Sequence, residues 1–260
     1  MTARNPRRSR EELRELLLES GRSILREEGL GTGAESLTFK RAFDRLEADT
    51  GIRLTNASVI RRVWQNQAEF QADVLVAVAR SENENEFDLT VATVAPVLTG
   101  ADRTTPRGRA DALRELCRVG AAANLRAMRE SVNWPLWISV WALAVGGEPL
   151  DYRKRIEAAL VSGYDSFNRR IEEVYAAITE YLGYRLREHF TLRQFTVAVD
   201  SLGQGCGLRD RVDDAHKRVV VRATGPGGAD QDWTLFAVAF EAMVHQFFEL
   251  DPDWQPADGS

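Results

Sequence analysis

Over the longest uninterrupted stretch of this chain apolar residues recur every three or four positions, a spacing that dictates helix. Between 152 and 188, Ile156, Leu160, Tyr164, Phe167, Ile171, Val174, Ile178 and Tyr181 fall on one stripe. Such a near-heptad seam predicts a single long helix packed along another. The same period returns towards the N-terminus. Ser9 followed by Glu12 is a capping box ahead of Leu13, Leu16, Leu17, Ile24 and Leu25, and Gly29, Gly31 and Gly33 stop that helix. A second helix is expected over 38–49, with Phe39, Phe43 and Leu46 inward and Thr50-Gly51 as its stop. A short third begins at Thr55 or Asn56 and carries Val59, Ile60, Val63 and Trp64 on its apolar side. Asn66 with Glu69 then caps a fourth through Phe70, Val74, Leu75 and Val78.

Beyond Arg80 the polar run 81–86 either continues or ends that fourth helix, and a domain boundary is expected there. Thr105-Pro106 starts another helix after a Thr-, Pro- and Arg-rich loop, since proline suits the first helical position. Trp134, Trp137 and Trp141 stack on one face of a further helix, and one more is expected over 192–212. Val219-Val220-Val221 is a β-like triplet before a glycine-rich turn, after which Asp232 is expected to cap a last, almost wholly apolar helix over 233–250. The expected fold is all-α. A three-helix helix-turn-helix domain over 1–80 precedes a larger helical bundle over 81–260.

Composition narrows the functions such a fold can serve. With 34 Lys+Arg against 39 Asp+Glu the net charge is −5, so bulk positive charge does not hold this chain to nucleic acid. Charge is unevenly spread: 1–80 carries 14 basic and 12 acidic residues, and 81–260 carries 20 and 27. Cys117 and Cys206 lie far apart without metal-ligand spacing, implying neither zinc nor a disulfide framework and pointing to a reducing, cytoplasmic setting. The greasy stretch 131–147 is short for a membrane span and contains Pro135, so no membrane partner is expected. No cofactor is expected either.

Between Asp49 and Glu69 no acidic residue occurs, where about three would fall by chance. Arg53, Arg61 and Arg62 stand there instead, with Thr55, Asn56 and Ser58 at the start of the short third helix. A helix entering the major groove of double-stranded DNA presents its first residues to base edges, while arginines and helix N-termini grip phosphates. Asn56, Ser58 and Arg62 are placed to read bases. Thr55 and Arg61 suit the backbone, as do Lys40, Arg41 and Gln67 at the starts of the flanking helices.

The capped first helix, the glycine break, the second helix, Thr50-Gly51-Ile52, a third helix ending in Trp64 and then Asn66-Gln67-Ala68-Glu69-Phe70 together resemble the N-terminal DNA-binding domain of the TetR family. The resemblance covers about 9–80, with weaker likeness over 192–209 and 233–248. It implies a repressor, a homodimer formed by the last long helices, and a C-terminal pocket for a small-molecule inducer. The chain departs from the family's pattern: 38–51 is about one turn longer than usual, Arg61 stands where tyrosine is common and Val63 where histidine is.

An aromatic wall of Trp134, Trp137 and Trp141 with Tyr164 or Phe167 opposite is the candidate site for a small hydrophobic effector, although such stripes are more often plain core. Phe240, Val244 and Phe247 in the last helix are the candidate dimer contacts. The alternatives are an all-α dimeric interaction protein without DNA binding and, more remotely, an enzyme. His189, His216 and His245 have no metal spacing or nucleophile motif, and Gly203, Gly205 and Gly207 lack the βαβ setting of a dinucleotide loop.

Overall fold

The computed structural model describes residues 9–31, 34–54, 63–81, 84–146, 152–213 and 218–256. In chain order the helices are α1 (Arg10–Glu28), α2 (Phe39–Thr50), α3 (Gln67–Arg80), α4 (Glu84–Thr99), α5 (Pro106–Glu130), α6 (Trp134–Val145), α7 (Arg153–Tyr181), α8 (Leu192–Val212) and α9 (Leu235–Phe247). Four short strands, β1 (Tyr184–Leu186), β2 (Val220–Arg222), β3 (Gln231–Trp233) and β4 (Phe248–Leu250), form two antiparallel ribbons, β1 with β4 and β2 with β3. The fold is all-α apart from these ribbons. The short helix expected from Thr55 or Asn56 falls largely outside the described residues.

The chain divides into two compact units. The first comprises 1–82 with 132–165, and the second 83–131 with 166–260. The segment holding α6 and the start of α7 groups with the N-terminal helices.

Caps explain where the helices of the first unit begin. Ser9 Oγ accepts from the Glu12 amide at 3.0 Å while Glu12 accepts from the Ser9 amide at 2.8 Å, and Thr38 and Asn66 cap α2 and α3 in the same sense. Gly51 closes α2 at φ +69°, a left-handed conformation glycine adopts without a steric cost. The core beneath gathers Leu13, Leu17, Leu25, Leu37, Leu46 and Leu75, with α6 adding Leu136 and Val140 and α7 adding Ile156 and Leu160. At one end Phe39, Trp64 and Phe70 form an aromatic cluster, with ring centroids 5.0 Å apart for Trp64 and Phe70 and 5.2 Å for Phe39 and Phe70.

In the second unit α5 packs against α4, α8 and α9 around Leu116, Cys117, Phe195, Val199, Trp233 and Phe236. Three expectations need correcting here. The helix expected over 152–188 stops at Tyr181, because Gly183 turns the chain at φ +64° and Tyr184 to Leu186 pair with Leu250 to Phe248. The last helix starts at Leu235 with Thr234 as its cap, since Asp232 is held in β3 opposite Val221. It also ends at Phe247, where β4 begins. The polar run after Arg80 ends α3, and a separate α4 starts at Glu84.

Gly21 marks the tightest approach in the first unit: a Cβ there would lie 2.6 Å from Val74 Cγ2 and 3.1 Å from Val74 Cγ1. Gly21→Val should therefore destabilise the protein by about 1–3 kcal/mol through overpacking between α1 and α3. Thermal unfolding checks this, and an unchanged midpoint would contradict the close packing of those helices.

Candidate nucleic-acid interface

The described residues bracket the acid-free segment on both sides and leave out its middle, so Thr55, Asn56, Ser58, Arg61 and Arg62 are outside them. On the N-terminal side, Arg53 is 74% exposed along its side chain, with only a loose 3.7 Å approach to Glu47. Lys40 is exposed in the first turn of α2. Arg41 beside it is engaged within the protein, donating to the Ser36 carbonyl at 3.0 Å and to the Glu28 carboxylate. Gln67 is exposed at the first turn of α3, which Asn66 caps. Lys40, Arg53 and Gln67 are thus open to an outside partner, whereas Arg41 already has an anion.

On the C-terminal side, each residue from Val63 to Asn66 is tied down. The Val63 carbonyl accepts from Arg10 at 3.4 Å, the Gln65 amide donates to Glu69 Oε2 at 2.7 Å, and Asn66 Oδ1 accepts from the Glu69 amide at 2.9 Å. Trp64 is 1% exposed, and its indole Nε1–H donates to Asp73 Oδ2 at 2.9 Å. Arg14 of α1 donates to the same oxygen at 2.9 Å, and Arg155 of α7 donates to the other. Burial alone would raise the carboxyl pKa of Asp73; hydrogen bonds from Trp64, Arg14 and Arg155 outweigh it and hold the group below its ordinary value. Asp73 was not singled out from the sequence, because its partners lie 9, 59 and 82 residues away.

One groove of α1 is acidic. Glu12, Glu15, Glu19, Leu16, Arg22 and Ile52 line an open depression of about 510 Å³. Its carboxylates are engaged within the unit: Glu19 pairs with Arg22 at 2.5 Å and Arg26 at 2.7 Å, Glu15 with Arg14 at 3.3 Å, and Glu12 accepts from the Ser9 amide.

The expected effector residues are divided. Trp134, Trp137, Trp141 and Tyr164 lie in the first unit and Phe167 in the second. Trp137 and Trp141 pack on the first core at a ring separation of 5.7 Å, Tyr164 meets Trp141 at 6.4 Å, and Phe167 meets Phe87 at 6.3 Å. The Trp141 Nε1–H is buried without a described partner. In the second unit Asn168 is fully buried with neither amide atom paired, and buried Thr196 has an unpaired hydroxyl. Ordered water or a ligand's polar group completes such pairings. Of the expected dimer contacts, Val244 is 4% exposed, and Phe240 and Phe247 are half-buried against the Phe195 ring at 6.2 and 5.4 Å. Among the described residues no cluster of His, Cys, Asp and Glu is arranged to hold a metal, and no helix is long and apolar enough to cross a membrane. Burial raises the pKa of both free thiols, Cys117 and Cys206.

No family model matches the chain, and no curated protein sequence matches it. Among solved structures, one described as a SmeT–triclosan complex is similar over 95% of this chain and 96% of its own, at 12% identity and a TM-score of 0.47.

Because the folded-state pKa of Asp73 is depressed, its contribution to stability is present above the unfolded value near pH ~3.9 and disappears as pH falls through the folded one. Asp73→Asn should make stability less dependent on pH below about pH 4. Chemical denaturation along an acid series measures it; an unaltered pH profile would mean the carboxylate is not held as described.

Proposed function

We propose that this chain is a DNA-binding transcriptional regulator of the TetR type, acting as a homodimer and released from its operator by a small-molecule effector. The observation that carries the reading is the coincidence of an acid-free, Arg- and Asn-bearing segment with a rigid frame at its exit. The segment from Thr50 to Ala68 has no carboxylate to repel phosphate, and Trp64 anchors its end in the core through Asp73. Exposed Arg53 and Gln67 lie near its two ends, and exposed Lys40 precedes it. In this reading Asn56, Ser58 and Arg62 contact base edges, and Thr55, Arg61, Lys40, Arg53 and Gln67 contact phosphates. Arg41 contributes only where it exchanges Glu28 for a phosphate.

Two copies are needed because one short helix covers few base pairs. The dimer is assigned to α9, with the surface that half-buried Phe240 and Phe247 leave uncovered offered to a partner and Val244 packed inward. The effector is assigned to the aromatic residues of the first unit, with Trp134 and the edge-on Trp137, Trp141 and Tyr164 rings as its contacts; Phe167, which belongs to the second unit, is left out of that site. Differential affinity of that ligand for the DNA-competent and DNA-incompetent states sets how far it releases the protein. The protein is read as a repressor without an enzymatic activity.

Selection of bound sequences from random duplex DNA by the purified full chain tests the whole reading. It should recover a two-fold motif whose half-sites are about 10 base pairs apart, or a multiple of that. No enrichment would overturn DNA binding and favour an interaction protein. Arg61→Ala should weaken binding to every duplex and lower the salt slope by about one, and an unchanged slope would count against its phosphate contact. Asn56→Ala should relax sequence preference more than it lowers total affinity, and equal losses on all duplexes would refute base reading at that position.

A further inference from the structure

Asp73 brings together three donors from separate parts of the first unit. Its side chain is 9% exposed and accepts from Arg14 in α1, from the indole of Trp64, and from Arg155 in the first turn of α7. Trp64 lies two residues beyond Arg62, near the end of the acid-free segment, and its ring packs edge-on against Phe70 at 5.0 Å, with Phe39 6.3 Å away. A hydrogen bond to a buried carboxylate is charge-assisted and directional, so it fixes the rotation of the indole and with it the backbone at Trp64. The carboxylate is in turn held by the two guanidinium groups. Arg14 and Arg155 are 40% and 50% exposed along their side chains, so each is a substitutable lever on an inaccessible group.

We infer that Arg155 is a positioning residue for DNA binding: acting through Asp73, it sets the orientation of Trp64 near the end of the acid-free segment. This rests on the DNA-binding reading above. The two guanidiniums do different work. Arg14 ties Asp73 to α1, a neighbour of α3 in the N-terminal bundle. Arg155 ties it to α7, a continuous helix from Arg153 to Tyr181 whose later turns belong to the second unit. Losing Arg155 leaves the carboxylate with Arg14 and Trp64, so the fold survives and the indole turns towards the remaining pair. The affinity of the segment for DNA therefore depends on a residue that need not touch DNA.

The test uses the full chain with 15N-labelled tryptophan, the Trp64 indole resonance being assigned by Trp64→Phe, and the duplex that the wild-type chain selects from random DNA. Arg155→Met should move the Trp64 indole N–H resonance and lower affinity for that duplex at least tenfold, with helical content unchanged. Arg155→Lys, which keeps the charge, should recover most of both effects, and Asp73→Asn should reproduce the loss. An unmoved resonance overturns the inference, whether affinity holds or falls, because a loss without a shift means that Arg155 touches DNA directly. A moved resonance with unchanged affinity also overturns it. A wild-type chain that selects no duplex defeats the functional reading itself, whereas one that selects a duplex and is indifferent to Arg155 defeats this inference alone.

Discussion

A single buried carboxylate organises the first unit of this protein. Asp73 on α3 receives hydrogen bonds from α1, from α7 and from the residue that ends the acid-free segment. An unpaired charge in that position would be costly, and the three donors that satisfy it tie α1, α7 and Trp64 to α3. The aromatic cluster of Phe39, Trp64 and Phe70 supplies the apolar side of the same arrangement, and Gly21 lets α1 approach Val74 closely enough to complete it. The acid-free segment is thereby fastened near its end to the core of the unit.

The second unit is stabilised differently. Its core is aromatic and aliphatic, with Phe195 in ring contact with Tyr175, Phe240, Phe247 and Phe248. Buried Glu241 pairs with Arg114 and Arg222, joining α9 to α5 and β2. The chain end is also held: the Trp254 indole donates to the Glu180 carbonyl at 2.9 Å and its ring lies under the Arg109 guanidinium at 4.6 Å. Within this core the buried Asn168 amide, the Thr196 hydroxyl and two guanidinium nitrogens of Arg109 have no hydrogen-bond partner among the described residues.

Legibility in the sequence followed the range of the interactions. Helix starts set by a residue and its neighbour three positions on could be read directly, as at Ser9, Thr38, Asn66 and Thr105, because the cap oxygen and the amide that donates to it are local. The start of α9 could not: Asp232 and Thr234 are both good caps, and the choice was made by pairing of β3 with β2. α4 gave little signal, since a polar run precedes it and Pro96 sits inside it. The all-round apolar character of α9 suggested a second subunit, yet α5, α8 and β4 of its own unit cover much of that surface. The acid-free segment was visible from charge alone. Asp73 was hidden among the alternating apolar residues of α3, because nothing local reveals that a carboxylate has partners at 14, 64 and 155.

If Asp73 holds Trp64 as described, the Trp64 indole hydrogen is released only when the first unit opens. Hydrogen exchange at that indole, resolved by NMR from those of the other tryptophans, measures this directly. The account predicts exchange several orders of magnitude slower than for a solvent-exposed indole, limited by opening of the unit. Exchange at the rate of a free indole would show that the carboxylate does not secure the exit of the segment, and the frame for DNA recognition would be lost with it.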